Sequence, residues 1–220
     1  MNVKSNGHEH EFEPAFGLPE PLPKGERMLW QGGPAFKDMA LRVFHLRKAA
    51  IYFAVLIASR AAFLSYSGQG FGSVLYGLLL PALLAIVALG GLATLAWLTA
   101  STTAYTLTDQ RVVMRIGIVL TLTFNLPLKR IATAGLQLNK NGFGDIPLAL
   151  NGGDRIGWLN LWPHARPWRI NKPEPMLRCI PDAQAFAAQL QQAWAAATGK
   201  ATSPMESNAS NQPHWQAKLT

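Results

Sequence analysis

Cysteine is nearly absent from this chain of 220 residues, because Cys179 is the only one. A single thiol can form neither a disulfide within the chain nor a cysteine-based metal site. Such sparing use of cysteine is typical of a domain in a reducing compartment. The sequence also lacks a glycine-rich phosphate loop, a His-Glu-x-x-His motif and a nucleophile elbow. We therefore expect no catalytic residue, no metal ligand, no bound cofactor and no enzyme.

Two groups of titratable residues could still suggest chemistry, and each has a simpler interpretation. His8 and His10 stand beside glutamates in a polar tail without further ligands, which favours a solvated tail over a metal site. Asp145 and Asp154 could form a carboxylate pair, but each follows a glycine in a predicted turn. Turn formation accounts for both aspartates.

Charge is absent from residues 71–100, which contain no Asp, Glu, Lys, Arg or His. A helix needs about 20 apolar residues to cross a bilayer, and this run is longer. A second apolar run, residues 49–64, is interrupted only by Arg60, whose long side chain can reach the interface. Only residues 65–70 separate the two runs. The pattern predicts an antiparallel transmembrane hairpin over residues 49–100.

Basic residues flank the hairpin, whereas its loop carries no charge. They are Lys37, Arg42, Arg47 and Lys48 before it, and Arg111 and Arg115 after it. The positive-inside rule then places both termini in the cytoplasm and residues 65–70 outside. The chain begins with a long polar stretch, so we expect no cleaved signal peptide. The expected location is the cytoplasmic membrane, with multiple passes.

The region that follows the hairpin is basic, with ten Lys or Arg and five Asp or Glu in residues 101–198. Beneath a bilayer, each such cation near the surface contributes about 1 kcal/mol of attraction to anionic lipid. Nucleic acid is the competing partner for basic charge, but no nucleic-acid motif accompanies it. We expect membrane lipid rather than nucleic acid as a partner.

Residues 101–197 read as a β domain because the hydrophobic period changes from helical to alternating. Turn signals separate six predicted strands at residues 103–108, 112–116, 117–124, 131–138, 145–150 and 156–161. Such spacing predicts an antiparallel sheet curled into a sandwich or small barrel, with a capping helix from about residue 182 to 197. Residues 1–23 and 198–220 are predicted to be disordered tails. Residues 24–48 are predicted to be a juxtamembrane segment with a basic amphipathic helix over 36–48.

A stripe of small residues marks the first membrane helix. Its members recur every four positions: Ala50, Ala54, Ala58 and Ala62. Such a stripe lets another helix approach closely, either Gly90 and Gly91 of the second helix or a foreign transmembrane helix. Neither membrane helix contains histidine, which argues against stable ligation of a chlorophyll-type pigment. Transient pigment contact stays open.

Residues 159–169 form the most unusual segment, rich in tryptophan, proline and arginine. Its candidate contact residues are Trp162, His164, Arg166, Trp168 and Arg169. Tryptophan and arginine are frequent at membrane interfaces and in protein-binding hot spots. The alternative is that Trp162 and Trp168 close the core of the barrel, since each has an apolar body.

Three characteristic segments follow the two predicted membrane helices. They are Thr-Thr-Ala-Tyr-Thr-Leu-Thr-Asp-Gln-Arg-Val-Val-Met-Arg-Ile, Leu-Pro-Leu-Lys-Arg-Ile and Gly-Phe-Gly-Asp-Ile-Pro-Leu. This arrangement resembles the membrane-anchored bacterial pleckstrin-homology-like domains. The resemblance implies a hairpin, a curled sheet and a C-terminal helix. The turn Asp109-Gln110-Arg111 replaces the Asn-Arg-Arg common in that superfamily. The loss of one positive charge weakens any inference of lipid binding from this turn.

A closer resemblance rests on Gly-Gly-Asp-Arg-Ile-Gly-Trp-Leu-Asn-Leu-Trp-Pro-His-Ala-Arg-Pro-Trp-Arg-Ile, together with Leu-Pro-Lys-Gly-Glu-Arg-Met-Leu-Trp-Gln-Gly. These segments are similar to the PuhB family of photosynthetic complex assembly proteins from purple phototrophic bacteria, over residues 22–194. The resemblance implies a non-enzymatic role in assembling the reaction centre and core light-harvesting complex, with their polypeptides as partners, also in intracytoplasmic photosynthetic membrane where it exists. The alternative is a membrane-surface adaptor that binds anionic lipid or an envelope protein.

Overall fold

The computed structural model describes residues 17–18, 20–139, 141–152, 156–199 and 206–207. The described chain forms two compact units. One is Phe36–Ser101, and the other combines the described parts of Met1–Ala35 and Thr102–Thr220. The second unit therefore includes residues 24–35, which the sequence had suggested as part of a juxtamembrane segment.

The first unit opens with short helical pieces rather than one amphipathic helix. After strand β1 (Met28–Gly32) come helix α1 (Phe36–Asp38) and a π-helical turn (Met39–Val43). His45 then adopts a left-handed conformation with φ of 53°, which a continuous α-helix does not contain. The prediction of a single helix over residues 36–48 is therefore wrong.

The two long helices of this unit confirm the predicted helical runs. They are α2 (Leu46–Tyr66) and α3 (Phe71–Thr102), and both are long and apolar enough to cross a membrane. They approach each other near their connecting loop, where Leu64 is buried. A Cβ atom on Gly77 would lie 2.7 Å from Cδ1 of Leu64, so glycine permits this close approach.

The second unit contains a four-stranded antiparallel sheet in the order β1-β2-β3-β4. Its further strands are β2 (Ala104–Thr108), β3 (Arg111–Ile116) and β4 (Leu122–Pro127). The first two confirm the prediction. The predicted strand over residues 117–124 begins too early, because Gly117 has φ of 125° and turns the chain before β4.

A second sheet has the order β7-β6-β5-β8. In chain order, the elements are β5 (Ile131–Leu138), β6 (Gly144–Leu150), helix α4 (Trp158–Leu161), β7 (Met176–Ile180), helix α5 (Ala183–Thr198) and β8 (Glu206–Ser207). The predicted strand over 156–161 is wrong: the Leu161 amide donates to the Gly157 carbonyl and closes a helical turn.

Helix α5 packs its apolar face on the core of this unit, as predicted. Phe186 and Leu190 are buried, and the Trp30 ring meets the Phe186 ring edge-to-face at 4.5 Å. The indole Nε1 of Trp194 donates to the Ile131 carbonyl at 3.1 Å, which fixes the helix on β5. Two apolar helices, antiparallel sheets and a C-terminal helix together fit a pleckstrin-homology-like fold.

Most of the two predicted disordered tails, including His8 and His10, lies outside the described residues, and so does Asp154. Within the described part of the first tail, Leu18 is buried with 3% of its surface exposed. The second predicted tail begins at Thr198, which is the last residue of α5.

Candidate interaction surfaces

The alanine stripe lies largely on the open surface of α2. Ala54, Ala58 and Ala62 are exposed, and Ala50 is half-buried. Gly90 and Gly91 of α3 are also exposed, and a Cβ atom on either would meet nothing within 4 Å. The structure therefore does not bring the stripe and these glycines together, and both small-residue surfaces are open to another helix.

Arg60 lies on the same helix and is exposed. Its guanidinium carbon is 5.9 Å from the centroid of the Phe63 ring, which is within the range of a cation–π contact. The charge stays on the helix surface, where the long side chain can reach the polar interface.

The tryptophans of residues 159–169 do not close the core. Trp168 is 97% exposed and Trp162 is 49% exposed, whereas the neighbouring Leu161 and Ala165 are buried. The alternative that both rings complete the barrel is wrong. The small and aliphatic neighbours occupy the core instead, and the indoles point outward.

Trp168 belongs to a protruding loop with a paired base. Ala165 and Pro175 form an isolated antiparallel bridge, and the Arg166 amide donates to the Glu174 carbonyl at 2.9 Å. We call residues 167–173, Pro-Trp-Arg-Ile-Asn-Lys-Pro, the Trp168 loop. Its base is thus a short ladder of backbone hydrogen bonds, and its tip lies outside that ladder.

The side chains of the two arginines in this segment differ in how closely Glu174 holds them. Nη1 of Arg166 lies 2.6 Å from Oε2 of Glu174, so this pair clamps the base of the loop. Nη1 of Arg169 lies 3.6 Å from the other oxygen of Glu174, and its side chain is 53% exposed. Arg166 is therefore a structural residue of the loop, while Arg169 is accessible to a partner.

His164 is fully buried, unlike the other candidate residues of this segment. Its Nδ1 lies 2.7 Å from Oη of Tyr105, and its Nε2 lies 3.2 Å from Oγ1 of Thr103. Burial, and secondarily the charge of Arg178, lowers the pKa of His164 to about 3. The imidazole is neutral at physiological pH and supports the loop from inside the domain.

Sequence reasoning missed three residues that complete this picture. Ile170 and Lys172 are exposed beside Trp168, and Arg178 is buried behind His164 with Nε lacking a hydrogen-bond partner. A proline at each end of the Trp168 loop is the sequence signal that could have marked its boundaries.

The bacterial PH domain family matches residues 49–194 of this chain. The chain belongs to this family. A relative from Rhodobacter capsulatus, described as an uncharacterized 23.7 kDa protein in the puhA 5′ region, is 36% identical over 187 residues. The similarity covers 84% of this chain and 87% of the relative. No solved structure matches the chain significantly.

In this bacterial PH domain, the β2–β3 turn is occupied by an internal ion pair. Nε and Nη2 of Arg111 donate to the two carboxylate oxygens of Glu26 at 2.9 and 3.0 Å. The Glu26 side chain is only 2% exposed. Arg111 is therefore engaged by the domain itself, which agrees with the weakened inference of lipid binding at this turn.

The bacterial PH domain also has a cleft of about 240 Å³ beside β4, lined in part by Phe124, Arg130 and Leu150. Among the residues that the structure describes, no cluster of three or more His, Cys, Asp or Glu could hold a metal ion. Oδ1 of Asp145 accepts the Cys179 amide at 2.8 Å, which is a structural use of this carboxylate. Bacterial PH domains are typically non-catalytic.

Proposed function

We propose that this bacterial PH-domain protein is a non-enzymatic assembly factor for the photosynthetic reaction centre and its core light-harvesting complex. Two findings support the proposal. The relative in Rhodobacter capsulatus is described by its position in the puhA 5′ region. Residues 22–194 also resemble the PuhB family of assembly proteins.

In this proposal α2 and α3 cross the cytoplasmic membrane, with both termini on the cytoplasmic side. The length and composition of the helices support insertion, and the basic residues that flank them support this orientation. The β domain then lies in the cytoplasm, where Cys179, a single buried cysteine, is an ordinary feature.

The open alanine stripe on α2 carries the proposal. In a bilayer, helices associate through close backbone approach rather than through the hydrophobic effect, so small residues mark the contact surfaces. Ala54, Ala58 and Ala62 are exposed, and α3 does not use Gly90 or Gly91 to cover them. A nascent transmembrane helix of the complex can therefore lie against this stripe.

The test compares two substitutions on α2 in the native phototroph. Ala58→Leu places a bulky side chain in the stripe, whereas Val55→Leu enlarges an exposed apolar residue elsewhere on the helix. We expect Ala58→Leu to lower the near-infrared absorption of the core complex while the level of the factor stays normal. Equal absorption in both strains, or loss of the factor itself, would contradict docking at the stripe.

The surface-adaptor alternative has one specific observation in its favour, the 97% exposure of Trp168. An adaptor would use the basic β domain to hold anionic lipid or an envelope protein and would not need the stripe. The activity of an adaptor would tolerate Ala58→Leu and fail on Trp168→Ala, so adding a Trp168→Ala strain to the comparison separates the two functions.

A further inference from the structure

The Trp168 loop combines exposed apolar side chains with exposed cations. Trp168 is 97% exposed and Ile170 is 67% exposed. Arg169 and Lys172 are also exposed, and residues 167–173 contain no acidic side chain. A water-exposed tryptophan and isoleucine two positions apart are unfavourable in a monomeric domain unless something covers them. The tip therefore has the composition of a contact surface.

The domain holds both ends of the loop, and the residues between them form turns and bends. Its base is closed by the Arg166–Glu174 ion pair and by backbone bonds on both sides of the Ala165–Pro175 bridge. Trp168 itself has φ of 64°, a left-handed conformation that is unfavourable for a bulky residue. Local strain at an exposed aromatic residue is a known feature of sites organised for binding.

The base of the loop is bonded to the first residue after α3. His164, three residues before the loop, lies 3.2 Å from Oγ1 of Thr103, and Thr103 directly follows the last residue of α3. In the proposed membrane placement, the domain that carries the loop is therefore tethered to the bilayer through the chain at Thr103.

We propose that the Trp168 loop inserts Trp168 and Ile170 into the interfacial region of a bilayer that contains anionic lipid, with Arg169 and Lys172 at the headgroup phosphates. Tryptophan favours the interface, where its ring meets acyl chains and its N–H meets polar groups. The two cations complement the anionic headgroups. The inference rests on the part of the proposed function that places α2 and α3 in a membrane.

The test uses the full-length protein reconstituted into vesicles, with an environment-sensitive fluorophore on a single introduced cysteine. Ile170→Cys places the label in the loop, and Val119→Cys places it in a turn of the same domain whose side chain is 90% exposed. Cys179 is buried, and the unsubstituted chain gives the labelling background. The vesicles contain phosphatidylcholine alone or with phosphatidylglycerol, and each includes a lipid-attached quencher.

We expect the quencher to reduce emission at residue 170 by at least about twofold more than at residue 119, with phosphatidylglycerol required for the full effect. Replacing Arg169 and Lys172 by Gln should remove the phosphatidylglycerol dependence, roughly fivefold per charge in lipid affinity. Lys129→Gln, at another exposed lysine, is the matched control.

Equal quenching at the two sites, or no dependence on phosphatidylglycerol, would overturn the proposal. A protein partner, rather than the bilayer, would then be the candidate that covers the Trp168 loop. A chain that inserts into vesicles but shows no quenching at residue 170 refutes only the loop insertion. A chain that does not insert at all refutes both this inference and the membrane placement on which it rests.

Discussion

Oη of Tyr105 lies 2.7 Å from Nδ1 of His164, and both side chains are fully buried. The same oxygen accepts the amide N–H of Arg178 at 3.2 Å. Nε2 of His164 lies 3.2 Å from Oγ1 of Thr103, so each ring nitrogen has a hydroxyl partner that can donate or accept. This uncharged network joins β2, β7 and the segment that bears the Trp168 loop.

We predict that the β domain loses stability as pH falls below neutrality. Burial lowers the pKa of His164 from 6.5 to about 3, so between these values the unfolded chain binds a proton that the folded chain excludes. The free energy of unfolding therefore falls with falling pH, by about 2 kcal/mol between pH 7 and pH 5. Thermal melts in detergent, followed by near-ultraviolet circular dichroism, measure the effect.

The His164→Gln variant is the control for this pH dependence. It should be less stable than the parent protein at pH 7, because glutamine cannot reproduce the hydrogen bonds of the imidazole to Tyr105 and Thr103. The stability of the variant should, however, change less between pH 7 and pH 5. An unchanged pH slope in His164→Gln would show that other groups cause the acid sensitivity.

Glu174→Gln should loosen the Trp168 loop. The substitution removes the charge that Arg166 contacts at 2.6 Å and Arg169 at 3.6 Å, and partly exposed pairs of this kind contribute about 1 kcal/mol. Hydrogen exchange at the Arg166 and Met176 amides, which donate across the base of the loop, should then become roughly fivefold faster. The amides of β5 in the same sample are the internal reference, and equal acceleration there would indicate general destabilisation.

Gly117→Ala should be strongly destabilising. Gly117 has φ of 125°, and an added Cβ atom would lie 2.0 Å from the Leu120 carbonyl oxygen. We expect a loss of about 2 kcal/mol or more from strain and steric clash. Gly142→Ala is the matched variant, since Gly142 also has a positive φ of 79° but has open space around it. Similar losses in both variants would contradict the role of the Leu120 contact.

Arg111→Ala should destabilise the β domain by about 3 kcal/mol, because it leaves the buried carboxylate of Glu26 without its partner. Adding Glu26→Gln to the same chain should recover part of this loss by removing the uncompensated charge. Arg27→Ala is the control: the Arg27 side chain is 85% exposed and its Nε lies 3.9 Å from Oδ2 of Asp109, so the substitution should have little effect. Chemical denaturation of the three variants checks the order.

Hydrophobic pattern alone was sufficient for the regular parts of the fold. The two long apolar runs became α2 and α3, and alternation over residues 131–138 matched β5 to the residue. The hydrophobic pattern failed where the backbone conformation determines whether a strand, a turn or a helix forms. Gly117 turns the chain before β4, and residues 158–161 close a helical turn although their apolar content also suits a strand. Strand β7 was missed, with a buried Arg178 at its centre.

The candidate surfaces could be located from the sequence, but the sequence could not show which of their residues are exposed and which are buried. Small-residue spacing identified the alanine stripe, and the density of Trp, Pro and Arg identified residues 159–169. Sequence could not tell that His164 is buried while Trp168 is exposed, because that difference depends on Tyr105 and Thr103, about 60 positions away in the chain. Nor could it show that Arg166 is held by Glu174 and Arg111 by Glu26.

The most direct test of the assembly role is purification of the tagged protein in mild detergent from its native membranes while pigment synthesis is being induced. Mass spectrometry and a near-infrared spectrum of the eluate identify what is bound. The account predicts enrichment of reaction-centre or core light-harvesting polypeptides over a mock-tagged control. Recovery of lipid and unrelated envelope proteins, without those polypeptides, would contradict it.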